Sequence, residues 1–182
     1  MRLIDTIKIQ LDPMHINKIN QIDDFDFSKT LKKVNADLGG LTAKYLQEGI
    51  ENLKRYYVVA LLDPLNEHAV SRLVDPFWHA HILHTKDYEF FCQSIFGQYI
   101  HHQPLDFDDL TAFQEVTSLY SYTLKIYSKI FHSFNSDWWP AIDDKASGSP
   151  INGPVVCQHM FISTEEIRAK SLFAQQLKGR AA

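Results

Sequence analysis

The sequence predicts an all-α protein, a compact bundle of about three to five helices followed by a C-terminal linker and a terminal helix. Two long segments carry apolar residues at alternating steps of three and four, the spacing that places them on one face of a helix. The 182 residues are 45% hydrophobic and 13% aromatic, which is enough for one core. Two amphipathic helices must bury these faces against other elements, and a bundle does so.

The two long helices are predicted over about residues 41–62 and 108–132. The first stops before Pro64, since the residue before a proline disfavours helix. Its apolar residues are Leu46, Ile50, Leu53, Tyr57 and Ala60. Those of the second are Leu110, Phe113, Thr117, Tyr120, Leu124, Tyr127 and Phe131. A shorter helix is predicted from about Ser28 to Gly39-Gly40, whereas residues 3–11 fit a strand or a helix equally well.

A change in composition near Pro140 divides the chain into a helical domain, 1–140, and a C-terminal part, 141–182. The second part opens with turn-forming residues, "DDKASGSPINGP". A capping box, Ser163-x-x-Glu166, then precedes an amphipathic pattern. The predicted terminal helix can dock on the domain or on a partner, and a solvated tail is an equal alternative.

Charge and cysteine content limit the classes of partner and compartment. A net charge of -4 argues against a nucleic-acid binder, which needs a basic surface. The start, "MRLIDTIKIQLDP", lacks the apolar stretch of a signal peptide, and no segment approaches the roughly 20 apolar residues of a membrane span. Two distant cysteines, Cys92 and Cys157, do not indicate a disulfide framework. These features predict a reduced, cytoplasmic setting without membrane contact.

The stretch "VDPFWHAHILHTKDYEFFC", residues 74–92, holds the candidate site. Asp75 either caps the start of a helix or faces His79 one turn on and orients its ring. His79 and His81 point about 200° apart on a helix, so they cannot share an ion unless the helix breaks. The other aromatic residues of the region are predicted to be core: Phe77, Trp78, Phe90, Phe91 and Phe96.

A bend near Thr85 and a stop at Gly97 would bring further donors together. In that arrangement His81 or His84 joins Cys92 and the returning His102. Nitrogen and sulfur donors of this kind suit zinc or another transition metal.

The whole segment resembles the signature of the glycine-rich domain-containing-protein-like family. The matching positions are Asp75, Trp78, His79, His81, Thr85, Tyr88, Cys92, Gly97, His102 and Pro104. The resemblance implies an α-helical module without an established reaction. It also leaves His84 and His101 outside the pattern.

Three functional hypotheses follow. The first is a small helical metal-binding protein with His79, His81, Cys92 and His102 as ligands, Asp75 orienting a histidine and Tyr88 giving a hydrogen bond. The second is a non-enzymatic interaction module in which these polar residues form a structural network. There the tail after Pro150 and exposed Trp138 and Trp139 contact a protein partner. The third, a cysteine-nucleophile enzyme using Cys92, lacks a recognisable nucleophile motif.

Overall fold

Six α-helices dominate the residues that the structure describes, which are 1–104, 110–142 and 155–161 of a computed structural model. Their bounds are α1 Pro13–Asp24, α2 Ser28–Leu38, α3 Ala43–Leu62, α4 Asp75–Leu83, α5 Thr85–Phe96 and α6 Leu110–Ile130. The predicted all-α fold class is confirmed. Short strands add a small sheet that the sequence analysis did not predict.

Local signals set the ends of the helices. The carboxylate of Asp12 accepts the backbone N–H of His15 at the start of α1, and the hydroxyl of Thr42 accepts that of Tyr45 at the start of α3. The α2 helix ends at Gly39, whose φ of 66° lies in a region that favours glycine. The predicted bounds of α2 and α3 are therefore close to the observed ones, whereas α1 was not predicted.

The α3 helix lies at the centre of the core and contacts α1, α2, α4 and α6. Its second half is buried on all sides, which explains the continuous apolar run near its end. The fully buried residues of that run include Tyr57, Val58, Val59, Ala60 and Leu62. The α4 helix, which carries site residues, packs directly on α3, and α5 is positioned through its contact with α4.

A break separates α4 from α5 and lies where the sequence predicts a bend. His84 adopts φ -85° and ψ 60°, which is not helical, and α5 begins at Thr85. The α5 helix then ends at Gly97, in the left-handed conformation with φ 72°. Consequently the chain turns twice within a short stretch and returns towards α4.

The small sheet is antiparallel and is built from three strands, β1 His68–Ser71, β2 Ile100–Pro104 and β3 Val155–Phe161. The last strand in the chain is the central one, so the order is β1-β3-β2. The α6 helix contacts β1 and β3. The sheet thus covers the side of the bundle where β2, the segment after α5, lies.

The N-terminal segment is neither the strand nor the α-helix that its pattern allowed. Leu3–Thr6 form a 3-10 turn. Beyond the turn, Ile7 makes an isolated bridge with Phe131, and the N–H of Lys8 donates to the carbonyl of Ile130. The segment therefore fastens the end of α6 to the bundle.

Three aromatic residues differ from the predictions in their exposure. Phe90 was predicted to be core, but it is 68% exposed because it lies on the outer face of α5. Trp138 and Trp139 were predicted to be exposed, but both are buried. Their indole N–H groups donate to Glu48 and Asn52 of α3, so the segment after α6 packs back on the core instead of presenting aromatic rings to a partner.

The C-terminal predictions fall largely on residues that the structure does not describe. The terminal helix predicted after Ser163 lies outside the described residues, and the division at residue 140 stays a prediction. Within the part predicted to be linker and tail, residues 155–161 form β3. None of the described helices is long and apolar enough to cross a bilayer.

Gly49 controls how closely α3 and α4 approach. A Cβ atom at this position would overlap the ring of Phe77, which is fully buried in α4. We expect Gly49→Ala to lower the free energy of unfolding by roughly 1–3 kcal/mol, since overpacking outweighs the better helix propensity of alanine. Urea denaturation would measure this loss.

The matched control for this substitution is Gln47→Ala on the exposed side of the same helix, where we expect a change within about 0.5 kcal/mol. Adding Phe77→Leu to Gly49→Ala should recover part of the lost stability. Equal stability of Gly49→Ala and the wild type would contradict the close approach.

Candidate metal centre

Three residues of the central stretch meet where α4 faces β2. The Nε2 atoms of His79 and His102 lie 2.5 Å apart, and the carboxylate Oδ2 of Asp75 lies 3.4 Å from Nδ1 of His79. One donor atom from each of the three lies within 4.8 Å of the others. A carboxylate and two imidazoles at this spacing form a cluster that can hold a metal ion.

Helix geometry brings Asp75 and His79 together, since residues four apart share one face of α4. The helix starts at Asp75, with Val74 as its N-cap and Pro76 in its first turn. His102 comes from β2, 23 positions after His79 in the chain. The break at His84 and the turn at Gly97 reverse the chain, so that β2 brings His102 back to α4.

The three residues of the cluster differ in their exposure to solvent. Asp75 is buried, whereas the side chain of His79 is about half exposed. Burial and the neighbouring His79 lower the pKa of His102 to about 4. The ring of His102 is therefore neutral at pH 7. Two imidazole nitrogens at 2.5 Å repel when both present lone pairs, so a proton or a cation between them stabilises the arrangement.

A second polar network fixes the start of β2. The indole N–H of Trp78 donates to the hydroxyl oxygen of Tyr88, 3.2 Å away. The same hydroxyl donates to the carbonyl of Ile100 at 2.9 Å. The sulfur of Cys92 accepts a hydrogen bond from the backbone N–H of Ile100, and its thiol is hydrogen-bonded to the oxygen of Tyr88. These buried groups join α4, α5 and β2, so they set the position from which β2 runs towards His102.

Cys92 lies in that network and not beside the two histidines. Burial raises the pKa of its thiol to about 11, so the thiol is protonated at neutral pH. A buried protonated thiol is a poor nucleophile. The geometry therefore gives no support to the cysteine-nucleophile hypothesis.

His81 faces away from His79, as two residues two apart on a helix must. Its Nδ1 lies 2.8 Å from the hydroxyl of Tyr57, and its ring lies within an aromatic cluster. The rings around it are those of Phe25, Phe27, Tyr57, Tyr88 and Phe91. Its Nε2 is buried without a hydrogen-bond partner among the described residues.

The structure thus separates the predicted site residues into two groups. His79 and His102 meet, and Asp75 lies against His79. His81 and Cys92 belong to the interior together with Tyr88, and none of the three is part of the cluster of donor atoms. His79 and His81 are separated because they lie on opposite faces of α4, whereas Tyr88 and Cys92 lie on α5.

The sequence analysis missed a buried contact between the side chains of Asp63 and His68. Asp63 Oδ2 lies 3.3 Å from His68 Nε2 and accepts from the hydroxyl of Tyr122 at 2.7 Å. Burial by itself raises the pKa of Asp63, but hydrogen bonds from His68, Tyr122 and Asn66 outweigh it and lower the pKa below its ordinary value. In the sequence, Asp63 and His68 are only two polar residues just after a helix. That pattern is too common to indicate a buried contact.

Comparison with known proteins identifies a family. A family model described as UCP032817-like matches residues 17–112, just over half of the chain, and that family is uncharacterised. The expected membership of the glycine-rich domain-containing-protein-like family is therefore wrong, because the matching model is a different one. No curated protein and no solved structure matches the chain.

The buried ring of His81 predicts a pH dependence of stability. Burial, with a smaller contribution from His84, lowers its pKa from 6.5 to about 3. Between these values the unfolded state binds a proton that the folded state does not, so stability is highest above pH 6.5 and falls as the pH falls towards 3. Because one pKa unit corresponds to about 1.4 kcal/mol, His81 lowers the free energy of unfolding by roughly 2 kcal/mol between pH 6.5 and pH 5.

We expect His81→Gln to remove about that much of the difference between the free energies of unfolding at pH 7 and pH 5. Urea denaturation at both pH values would measure it. The control is Phe91→Leu in the same aromatic cluster, which should lower stability at both pH values but keep the wild-type pH dependence. An unchanged pH dependence in His81→Gln would contradict the assignment.

Proposed function

The chain belongs to the UCP032817-like family, and we propose from the geometry of its own site that it binds a divalent transition-metal ion, zinc foremost, through Asp75, His79 and His102. The observation that carries the proposal is the approach of the Nε2 atoms of His79 and His102 to 2.5 Å beside a buried carboxylate. When both nitrogens present lone pairs, a cation between the two rings replaces their repulsion by attraction.

The donor types present suit such an ion. Ligand atoms 2.0–2.2 Å from zinc lie roughly 3–4 Å from each other. All three donors here are within 4.8 Å of one another, but the two Nε2 atoms, 2.5 Å apart, are closer than two ligands of one ion, so the two rings must separate slightly when an ion binds. The ring of His79 is half exposed, so it can rotate away from His102 as an ion enters. Without Cys92 the set contains only nitrogen and oxygen, which suits zinc, iron, cobalt or nickel better than thiophilic copper(I).

Asp75 supports the site in one of two ways. It can bind the ion directly, giving the set of two histidines and one carboxylate known from open metal sites. It can instead accept a hydrogen bond from Nδ1 of His79, which fixes the ring with Nε2 directed at the ion. The observed 3.4 Å separation from Nδ1 favours the second way.

Zinc titration of protein without a histidine tag tests the proposal. We expect the wild type to bind one zinc ion per chain, measured by competition with a chromophoric chelator. His79→Ala and His102→Ala should each weaken binding at least 100-fold, since each removes a direct ligand. Asp75→Asn should weaken it about 10- to 100-fold, as the loss of an orienting partner does.

The matched control is His101→Ala, because His101 is the exposed neighbour of His102 on the same strand. It should retain wild-type affinity and stoichiometry. The proposal fails if the wild type binds no more zinc than the His79→Ala/His102→Ala double variant.

A second candidate function is a binding surface for a protein partner. The observation in its favour is that two large apolar side chains, Leu83 at the end of α4 and Phe90 in α5, are 62% and 68% exposed. Aromatic residues such as phenylalanine are enriched at protein interfaces relative to the rest of the surface. A cytoplasmic location remains a prediction.

Photo-crosslinking in cells tests this second candidate. A photoreactive phenylalanine analogue at position 90 should give a discrete adduct of higher mass on denaturing gels. The same analogue at the exposed position 118, on α6, is the control and should give none. Identical gel patterns at the two positions would exclude a partner-binding surface at Phe90.

A further inference from the structure

A small polar cavity lies between the N-terminal turn, the end of α1 and the middle of α3. Its volume is about 170 Å³. The residues that line it include Leu3, Thr6, Asp23, Glu51, Lys54 and Arg55. Glu51 is exposed, so the cavity opens to solvent. Since a cavity of roughly 150 Å³ holds a molecule of the size of benzene, this one has room for about six non-hydrogen atoms.

Two of the four charged side chains neutralise each other. The Nζ of Lys54 donates to Oδ1 of Asp23 at 3.0 Å, and both side chains are only 15% exposed. The other carboxylate oxygen of Asp23 accepts the backbone N–H of Leu3 at 3.0 Å and lies 3.2 Å from Nε of Arg2. These groups are satisfied within the fold. Glu51 and Arg55 are therefore the charges that the cavity can offer to a ligand.

Arg55 is held in place by neutral groups. Its Nη1 donates to the hydroxyl of Tyr127 at 3.0 Å and to the carbonyl of Ser133 at 3.4 Å. The guanidinium carbon also lies 5.3 Å from the centroid of the Phe131 ring. The N–H groups on Nε and Nη2 have no hydrogen-bond partner among the described residues. This edge of a fixed guanidinium suits a carboxylate, which it can bind through two parallel hydrogen bonds.

Glu51 supplies the opposite charge one helical turn earlier. Residues four apart share one face of a helix, and a glutamate and a cation at this spacing often form an ion pair. Among the described residues, however, no ion pair joins Glu51 to Arg55. Oε1 of Glu51 accepts from Gln47 at 3.2 Å, which leaves Oε2 for a ligand. The α3 wall of the cavity thus presents one negative and one positive group that do not neutralise each other.

We propose that this cavity binds a small zwitterion, an α-amino acid with a short side chain. Its carboxylate pairs with the Nε and Nη2 edge of Arg55, and its ammonium group pairs with the carboxylate of Glu51. A simple anion is attracted by Arg55 but repelled by Glu51, and a simple amine meets the reverse. Only a ligand that carries both charges satisfies both residues, and L-alanine has the size that the volume allows.

Ligand-observed NMR and titration calorimetry on the full chain test the inference. Saturation transfer from the protein to each of the proteinogenic amino acids identifies those that bind, and calorimetry measures their affinity. We expect L-alanine or an amino acid of similar size to bind. Propionate lacks the ammonium group and ethylamine lacks the carboxylate. Each should bind at least roughly tenfold more weakly, because each loses one charged hydrogen-bonding partner.

Two variants examine the assigned residues. Arg55→Lys keeps the positive charge but loses the forked edge, and Glu51→Gln keeps the size of the side chain but loses its charge. We expect each to weaken amino-acid binding at least roughly tenfold. Position 51 is exposed, so Glu51→Gln should keep the thermal stability of the wild type even if Arg55→Lys loosens the contacts to Tyr127 and Ser133.

The matched controls remove one charge of each sign outside the cavity. Lys44→Gln lies at the exposed start of α3, and Glu115→Gln lies at an exposed position of α6. Both should bind the amino acid like the wild type. The inference is overturned if no amino acid binds to the wild type or if propionate binds as tightly as L-alanine. It is also overturned if Glu51→Gln retains wild-type affinity.

Discussion

The position of β2 depends on one hydroxyl group, that of Tyr88. It accepts from the indole of Trp78 in α4 and donates to the carbonyl of Ile100, the first residue of β2. Buried hydrogen bonds of this kind are costly to leave unmade, so the three elements keep one arrangement. His79 lies next to Trp78, and His102 lies two residues after Ile100. The approach of the two histidine rings is thus a consequence of the packing beneath them.

Most of the helical framework could be predicted because its signals are local. The apolar spacing of α3 and α6, the glycine after α2 and the proline after α3 each act within a few residues. The sheet could not be predicted in this way. β1 and β2 have four and five residues, and their partner β3 lies more than 50 positions beyond β2. Pairing over such distances is decided by tertiary packing, which residue spacing does not express.

The candidate site was predictable in part for the same reason. Helical geometry correctly indicates that His79 and His81 point apart, and it pairs Asp75 with His79. Which of the two histidines would meet His102 depends on the path of the chain after Gly97, and no local pattern gives that path. Cys92 shows the opposite difficulty: its residue type suggests a ligand, but its surroundings make it a buried, protonated member of a structural network.

The order of the strands also has a consequence for biosynthesis. β3 lies between two strands that precede it in the chain, and β1 and β2 are not hydrogen-bonded to each other. While the polypeptide is being made, α1 to α5 can pack through contacts that are comparatively close in sequence. Tyr88 can already hold Ile100 at that stage. The strand β2, which carries His102, can pair with β3 only after residue 161 has left the ribosome, so the sheet forms after the helices α1 to α5 can pack.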